Sequence, residues 1–323
     1  MFKKILIASA VILVTSAGLA SAEALKVDKS LKSYKAVGGV SGNLNSIGSD
    51  TLNNLMTMWA EGFRKKYPNV NIQIEGKGSS TAPQALVAGT AQLGPMSREM
   101  KNSEIDAFVK KYGYKPTKIA VAIDTIALFV NKDTPLKSLS LQQVDAIFSK
   151  NRKRGYPSAI TTWGQLGVTG KMAAQPISLY GRNSASGTYG FFKEQALAKG
   201  DFKSMVKEQP GSASVVQGIT KDKNGIGYSG LGYMTSGVKT LALSAKSGQP
   251  AYEATYANAL TNKYPLSRFL YIYIALDPKK PLPKLTEEFL KFVLSKEGQE
   301  IVIKDGFLPL TGQMSAKNLS ILK

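Results

Sequence analysis

The chain has 323 residues, 43% of them hydrophobic and 20% charged, with a formal net charge of +20 and neither Cys nor His. Those two absences exclude disulfides, Cys or His zinc sites, Ser-His-Asp triads and Cys-His dyads, so any catalysis would fall to Asp, Glu, Lys, Tyr or Ser alone. No calcium-loop spacing occurs, and neither a metal nor a cofactor is expected. The length suggests about two domains or lobes with a sizeable core. The positive charge suits nucleic acid, anionic membrane or small anions. The lysines, however, are scattered, as in "KKYGYKPTK" and "KDKNG", and form no stripe with interleaved aromatics. They read as a solvated surface that steers anions, with no nucleic-acid partner.

The first residues read as a targeting segment. Met1-Phe2-Lys3-Lys4 is a basic start, Ile5 to Ala20 is apolar, and Ala20-Ser21-Ala22 is a small-residue cleavage site before Glu23. Residues 1–22 are therefore expected to be a cleaved signal peptide, and the mature chain to be periplasmic or secreted. Losing Lys3 and Lys4 takes the net charge from +20 to 20 − 2 = +18. Export also makes nucleic acid a poor partner. No later apolar run approaches the ~20 residues needed to span a bilayer.

Residues 23–43 are rich in Lys, Gly and Ser without a clear period and read as a loose leader. "LNSIGSDT" gives a short strand and a turn. Leu52, Leu55, Met56, Trp59, Ala60 and Phe63 then recur at helical spacing, and Pro68-Asn69 stops that helix. Val70 to Ile74 alternates as a strand does. "EGKGSST" is a turn, and Pro83 suits the first turn of the helix that follows. "VAIDTIALFV" (121–130) is a long apolar strand in which Asp124 and Thr125 mark a crossing between lobes. "LSLQQVDAIFS" is a helix capped by Ser140, "NRKRG" (151–155) a solvated loop, and "PISLY" a short strand. A helix begins near Ser186. Further on come a helix and strand within 209–233, the strands "VKTLAL" and "SRFLYIYIAL", and an amphipathic helix over 284–304 with a break near Gly298. Strand, turn, helix in repetition predicts an α/β fold with a largely parallel sheet. Trp59 and Trp163 read as packing residues. Glu287-Glu288, at a helix start, suit the helix dipole.

Three segments share one grammar, in which a strand meets a helix through a short turn rich in Gly, Ser and Thr. They are "GSDT" (48–51), "GKGSST" (76–81) and "SASGT" (184–188). Each helix start leaves unpaired N–H groups and a partial positive charge. Gly permits close backbone approach, and hydroxyls either cap the helix or donate outward. If the turns converge they surround a small anion with neutral donors. Arg182, just before the third turn, adds a planar charged fork suited to tetrahedral oxyanions, and Arg98 in "GPMSREM" offers a second. Taken singly, each turn is an ordinary capped helix start. None is spelled as a nucleotide loop, because GxxxxGK[ST] does not occur and "GKGSST" lacks the third Gly of GxGxxG. A GxSxG nucleophile elbow is also absent.

Four motifs carry a resemblance over essentially the whole chain from about Ile47: "GSDT" with Trp59 downstream, "YPNVNIQIEGKGSS", "GRNSASGTYGFF" and "FLKFVLSKEGQEIVIKDGFLPL". The chain resembles the substrate-binding protein of the bacterial phosphate ABC transporter, the PstS type, with the last motif shared broadly among type II periplasmic binding proteins. The resemblance implies two α/β lobes, each a mostly parallel sheet flanked by helices and joined by a hinge. One lobe would be 44–124 plus about 262–323, and the other about 125–261. It implies a protein that binds inorganic phosphate in the periplasm and delivers it to an inner-membrane ABC permease, with no catalytic residue; a monomer is expected, because lobe closure is easier without a large subunit interface. The phosphate contacts it implies are Ser49, Asp50, Thr51, Ser79, Arg182, Ser186, Gly187 and Thr188, and Ser80, Ser97 and Arg98 are candidate contacts beside them.

One departure bears on selectivity. Several family members place an Asp after the second helix, where it accepts the proton of hydrogen phosphate and rejects fully ionised sulfate. Here Ser97 stands at that place, followed by Arg98. Asp50 is the expected replacement, the other reading being a carboxylate that caps its own helix. Three other functions are left open by the residues. The same fold could bind sulfate or molybdate, the chain could be a secreted phosphatase, or it could have a surface role in which phosphate is incidental.

Overall fold

The computed structural model describes residues 25–322, so the signal-peptide reading of 1–22 lies outside it. The chain begins with β1 (Gly42–Ile47), α1 (Asn53–Arg64), β2 (Val70–Glu75), α2 (Thr81–Ala88), β3 (Gly94–Met96) and α3 (Asn102–Tyr112). It continues through β4 (Thr117–Asn131), β5 (Ser138–Ser140), α4 (Leu141–Phe148), β6 (Ser178–Arg182), α5 (Gly187–Gln195), β7 (Lys207–Gln209) and α6 (Ser212–Lys221). It ends with β8 (Gly225–Gly230), β9 (Val238–Ser244), α7 (Tyr256–Leu260), β10 (Ser267–Ile274), α8 (Lys284–Val293), α9 (Lys296–Lys304) and α10 (Gly312–Ile321).

The local causes are those the sequence suggests. Helix α1 buries Leu55, Met56, Trp59, Ala60 and Phe63 on one face. The Ser140 hydroxyl accepts the Gln143 N–H at 3.2 Å and starts α4. The amphipathic run over 284–304 breaks earlier than expected, at Leu294-Ser295, where the Ser295 hydroxyl accepts the Gly298 N–H at 3.2 Å and begins α9. Gly298 has a different reason to be glycine. A Cβ there would lie 2.2 Å from the Phe292 carbonyl oxygen.

Strand β4 belongs to two cores. Its Ile119, Val121, Ala122 and Ile123 pack with Trp59, Phe63, Ile272, Phe289 and Val302. Its Ile126 to Val130 pack instead with Phe148, Trp163, Phe192, Ile219 and Tyr228. Farther on, Ala259 packs in the first core, Tyr264 and Leu266 in the second, and Leu270, Ile272 and Ile274 of β10 in the first again. Only Asp124 and Thr125 stand between the two halves of β4.

The sheets are mixed in a patterned way. The strands that lead into the Gly/Ser/Thr turns pair in parallel: β1 with β2, β6 with β7, and β6 with β8. The antiparallel pairs are β4 with β8, β9 and β10, and β10 with β3. A mostly parallel sheet thus describes the site-bearing strands. The strand that crosses between cores and the one that returns run against their neighbours, because a return by the same route must reverse direction.

The leader is not loose in the part described. It carries no helix or strand before β1, yet Tyr34 donates its N–H to Glu297 and its hydroxyl to Glu288, and shares a hydroxyl bond with Tyr67 at 2.6 Å. Leu31 is buried, and the Lys32 carbonyl accepts the Lys296 N–H at 2.9 Å. Composition without period concealed an aromatic anchor.

One carboxyl in the first lobe is poorly served. Asn54 donates to Oδ1 of Asp305, but Oδ2 is buried without a partner. Burial pushes this carboxyl up to about 6 from its ordinary 3.8. A raised carboxyl pKa means that ionisation costs folding free energy as pH rises from about 4 through 6, and the cost is fully present above that. Asp305→Asn keeps an acceptor for Asn54 and removes the charge. After discounting for partial exposure, we expect about 1 kcal/mol of stabilisation, or about 2–4 °C in Tm, at pH 8. Thermal melts from pH 4 to 8 should show the gain vanish at the acid end, and a constant offset would contradict the assignment.

Candidate functional site

The three turns converge on one cleft between the two cores. A Cβ on Gly187 would lie 2.3 Å from the Ser79 hydroxyl oxygen and 2.5 Å from that of Ser97. A Cβ on Gly78, whose φ is +116°, would lie 2.5 Å from the Ala185 carbonyl oxygen, and that carbonyl accepts the Ser80 N–H at 3.2 Å. The hydroxyls of Thr51 and Thr188 are bonded at 3.0 Å. Turns 48–52 and 76–80 belong to the first lobe and turn 183–186 to the second, so these contacts close one face on the other.

The hydroxyls divide between capping and facing the cleft. Ser186 caps α5, accepting the N–H groups of Thr188 and Tyr189 at 3.1 and 3.4 Å. Ser49 and Ser80 make no side-chain cap bond to the helical turns they precede. Ser79 accepts the Ser97 N–H at 3.0 Å, and the two hydroxyls are 3.2 Å apart. Ser49, Thr51, Ser79, Ser97, Ser186 and Thr188 are all buried. A burial this dense in hydroxyls suits a polar ligand, since buried polar groups without partners are costly.

Arg182 is the charged centre. Only 1% of its surface is exposed. It donates to the Ser212 hydroxyl at 2.6 Å and to the Pro210 carbonyl at 3.0 Å, and it pairs with Asp50 at 3.1 Å. Its Nε is buried without a partner. Burial lowers its pKa, opposed chiefly by Asp50. Asp50 does not cap its own helical turn. Its Oδ2 reaches across the cleft to Arg182 and to the Ser212 N–H, 3.0 Å away at the start of α6. Arg98 is placed differently from Arg182. Its guanidinium forks onto both oxygens of Glu104 at 2.7 and 2.8 Å and supports the Ser80 hydroxyl at 3.2 Å. Burial raises the Glu104 carboxyl, but the Arg98 bonds outweigh it and leave the pKa below its ordinary value. The structure thus brings Arg98 to the rim with its charge already spent.

Sequence reasoning missed a second arginine. Arg268, at the start of β10, donates to Thr188 at 2.8 Å and to Asp124 at 2.8 and 3.1 Å. Its Nη1 is buried without a partner, as is Asp124 Oδ1. Ser212 was also unforeseen. The available signal was a lone Arg and a lone Asp inside two apolar runs, "SRFLYIYIAL" and "VAIDTIALFV", but their pairing needs the strand register that joins Arg268 to Asp124.

Two buried guanidiniums and three turns rich in hydroxyls between the lobes bring together the kind of donors that a small oxyanion accepts. Comparison with known proteins agrees. Residues 34–297 match the PBP superfamily domain. The phosphate-binding protein PstS of Pseudomonas aeruginosa is 56% identical over 99% of this chain and 98% of its own length. The chain belongs to the PstS family. A putative phosphate ABC transporter substrate-binding protein from Clostridium perfringens, solved with bound phosphate, superposes with a TM-score of 0.70 at 28% identity, covering 84% of this chain and all of that one. A phosphate transport receptor from Vibrio cholerae shares the fold, with a TM-score of 0.64 at 21% identity over 83% of this chain and all of its own. The two-lobed type II architecture is thus shared across the family.

For a PstS-type cleft the closest backbone approach is the most sensitive point. Gly187→Ala sets a methyl against Ser79 and Ser97 and should hold the lobes apart. Small-angle X-ray scattering should give a larger radius of gyration than for the wild type, with unchanged far-UV circular dichroism. An identical scattering profile would mean that the two serines simply rotate away.

Proposed function

We propose that the chain captures inorganic phosphate between its lobes in the periplasm and delivers it to an inner-membrane ABC permease. The observation that carries this reading is the pair of buried guanidiniums, each with one nitrogen left without a protein partner, set among the hydroxyls of three strand-to-helix turns and their neighbours. Two Arg and two Asp make the immediate site formally neutral. The anion is therefore met by directed N–H and O–H donors more than by excess charge, in a setting where such bonds are strong. The phosphate contacts we assign are Ser49, Thr51, Ser79, Ser97, Arg182, Ser186, Gly187 and Thr188, with Arg268 added. Asp50, Ser80 and Arg98 support them.

The family and its named relatives are binding proteins for transport, so no bond is made or broken on the chain. Lobes hinged at Asp124–Thr125 and Leu266–Ser267 open to admit the ligand and close over it, and the closed face is what the permease reads. Among the described residues no helix is long and apolar enough to cross a membrane, which fits a chain released after export by the segment 1–22.

Calorimetric titration of refolded, ligand-free protein tests this reading. We expect one phosphate per chain, undiminished by excess sulfate. Arg182→Ala removes a buried charged donor and should weaken phosphate by about 100-fold or more, the equivalent of about 3 kcal/mol. Absence of phosphate binding by the wild type would remove the assignment. Ready displacement by sulfate would reassign the cleft to another oxyanion.

A further inference from the structure

A second contact between the lobes lies outside the cluster of hydroxyls. The turn Leu231–Tyr233, which follows β8 in the second lobe, lies against the segment that follows α9 in the first. Backbone meets backbone there. A Cβ on Gly232 would stand 3.0 Å from the carbonyl oxygens of both Asp305 and Gly306. A Cβ on Gly306, whose φ is +81°, would stand 2.8 Å from the Gly232 Cα. A side chain at either place would hold the lobes apart. Tyr233 extends the contact. Its ring meets that of Phe307 edge-on at 6.5 Å, its hydroxyl donates to the Thr51 carbonyl at 3.1 Å, and it packs against both cores. None of these bonds uses a donor assigned to the anion.

Asp305 sits in this seam. Asn54 of α1 donates to its Oδ1, while Oδ2 is buried without a partner. Burial raises this carboxyl, and only the Asn54 bond opposes the rise. Lys304, next to it in the chain, is exposed. Tyr233 faces it from the second lobe, and burial holds that phenol well above its ordinary value, so it stays protonated. The other charges felt by Tyr233 are Asp50, Asp124 and Arg182, and both of those carboxylates are paired with arginines. Asp305 has no such cation among the described residues. Parting the lobes lifts the 231–233 turn away and lets water reach Oδ2. Closure removes that hydration and offers no bond in exchange, which penalises the ionised carboxylate and not the neutral acid.

We propose that the turn Leu231–Tyr233 and Asp305 form a proton-dependent clasp, in which protonation of Asp305 favours the closed lobes and its ionisation favours opening. The clasp acts on the balance between open and closed forms, so it sets how tightly the cleft holds its anion without choosing among anions. The inference rests on the phosphate reading above and adds its regulation by pH. In the closed form the carboxyl stands at about 6, against an ordinary 3.8 in water. Below the ordinary value it is protonated in both forms and the clasp is silent. As pH rises from there, closure is progressively penalised, and above about 6 the penalty is complete.

Calorimetric titration of wild type and Asp305→Asn with phosphate, from pH 4 to pH 8, tests the clasp. The ionisation of phosphate itself is common to both proteins and cancels in the ratio of their dissociation constants. That ratio should shift by about tenfold between the two ends of the range, with the variant gaining on the wild type as pH rises and the change complete above about pH 6. At pH 5, titrations in two buffers of different ionisation enthalpy should show the wild type taking up about half a proton more per phosphate than the variant. A ratio that does not vary with pH, or equal proton counts, would mean that the first lobe buries Oδ2 whether the lobes are open or closed, and would overturn the clasp. The thermal gain of Asp305→Asn at pH 8 would survive that result, so stability alone does not decide. Failure of the wild type to bind phosphate at all would instead strike the functional reading, and the clasp as its regulator with it.

Discussion

A guanidinium taken out of water must be given partners, and in this cleft each arginine takes one of them from the opposite lobe. Arg182 rises from β6 in the second lobe and finds Asp50 of the first. Asp50 in turn bonds the first N–H of α6, again in the second lobe. Arg268, on the strand that returns to the first lobe, reaches Thr188 of the second. Separation of the lobes would return these groups to water, and closure must replace that hydration bond for bond. The desolvation cost of each ion is several kcal/mol. Closure is therefore favourable only when geometry is good and the remaining N–H groups are served. Two of them, Arg182 Nε and Arg268 Nη1, have no protein partner. A ligand that accepted from them would supply what the protein lacks, and would tie ligand binding to lobe closure.

The same logic explains why the site is neutral rather than strongly basic, despite a chain charge of +20. The surface excess raises the local concentration of anions and speeds encounter. Inside, Asp50 and Asp124 cancel the two arginines. A net positive cage would hold any anion and would be costly to leave empty. A neutral one holds only the anion whose pattern of donors and acceptors matches. Arg98 shows how thoroughly charge is managed here. A third guanidinium stands at the rim, but Glu104 takes its whole fork, so it shapes the Ser80 turn without adding field.

Much of this was legible in the sequence because the relevant signals are local. Helix α1 is read from five buried residues at helical spacing, the Ser140 cap from its place before an apolar run, and the three turns from their Gly, Ser and Thr. What stayed hidden depends on distant pairing. The Arg268 and Asp124 partnership is fixed by strand register across 144 positions of chain. Asp50 could be placed in its turn but not aimed, since its partners lie in α6 and β6. Helix α3 buries a single side chain, Phe108, and so has too thin a stripe to announce itself. Strand β3 is three residues long. The leader looked featureless because its attachment rests on Tyr34, Leu31 and a backbone carbonyl, each meeting a partner from elsewhere in the chain.

The position of the crossing strands has a consequence for release. Asp124 and Thr125 separate two well-packed halves of β4, and the polar pair at that point replaces apolar packing with a bond between neighbouring strands. Packed cores resist gradual deformation, so bending concentrates where packing is interrupted and a polar pair can tilt without opening a cavity. Arg268 links that point to Thr188 and so to the Thr51–Thr188 bond between the turns. Opening by a partner would loosen these bonds and the grip on an anion held among them in a single motion. Affinity and release then draw on the same few bonds, which lets a tightly closed binding protein give up its ligand when the lobes are pulled apart.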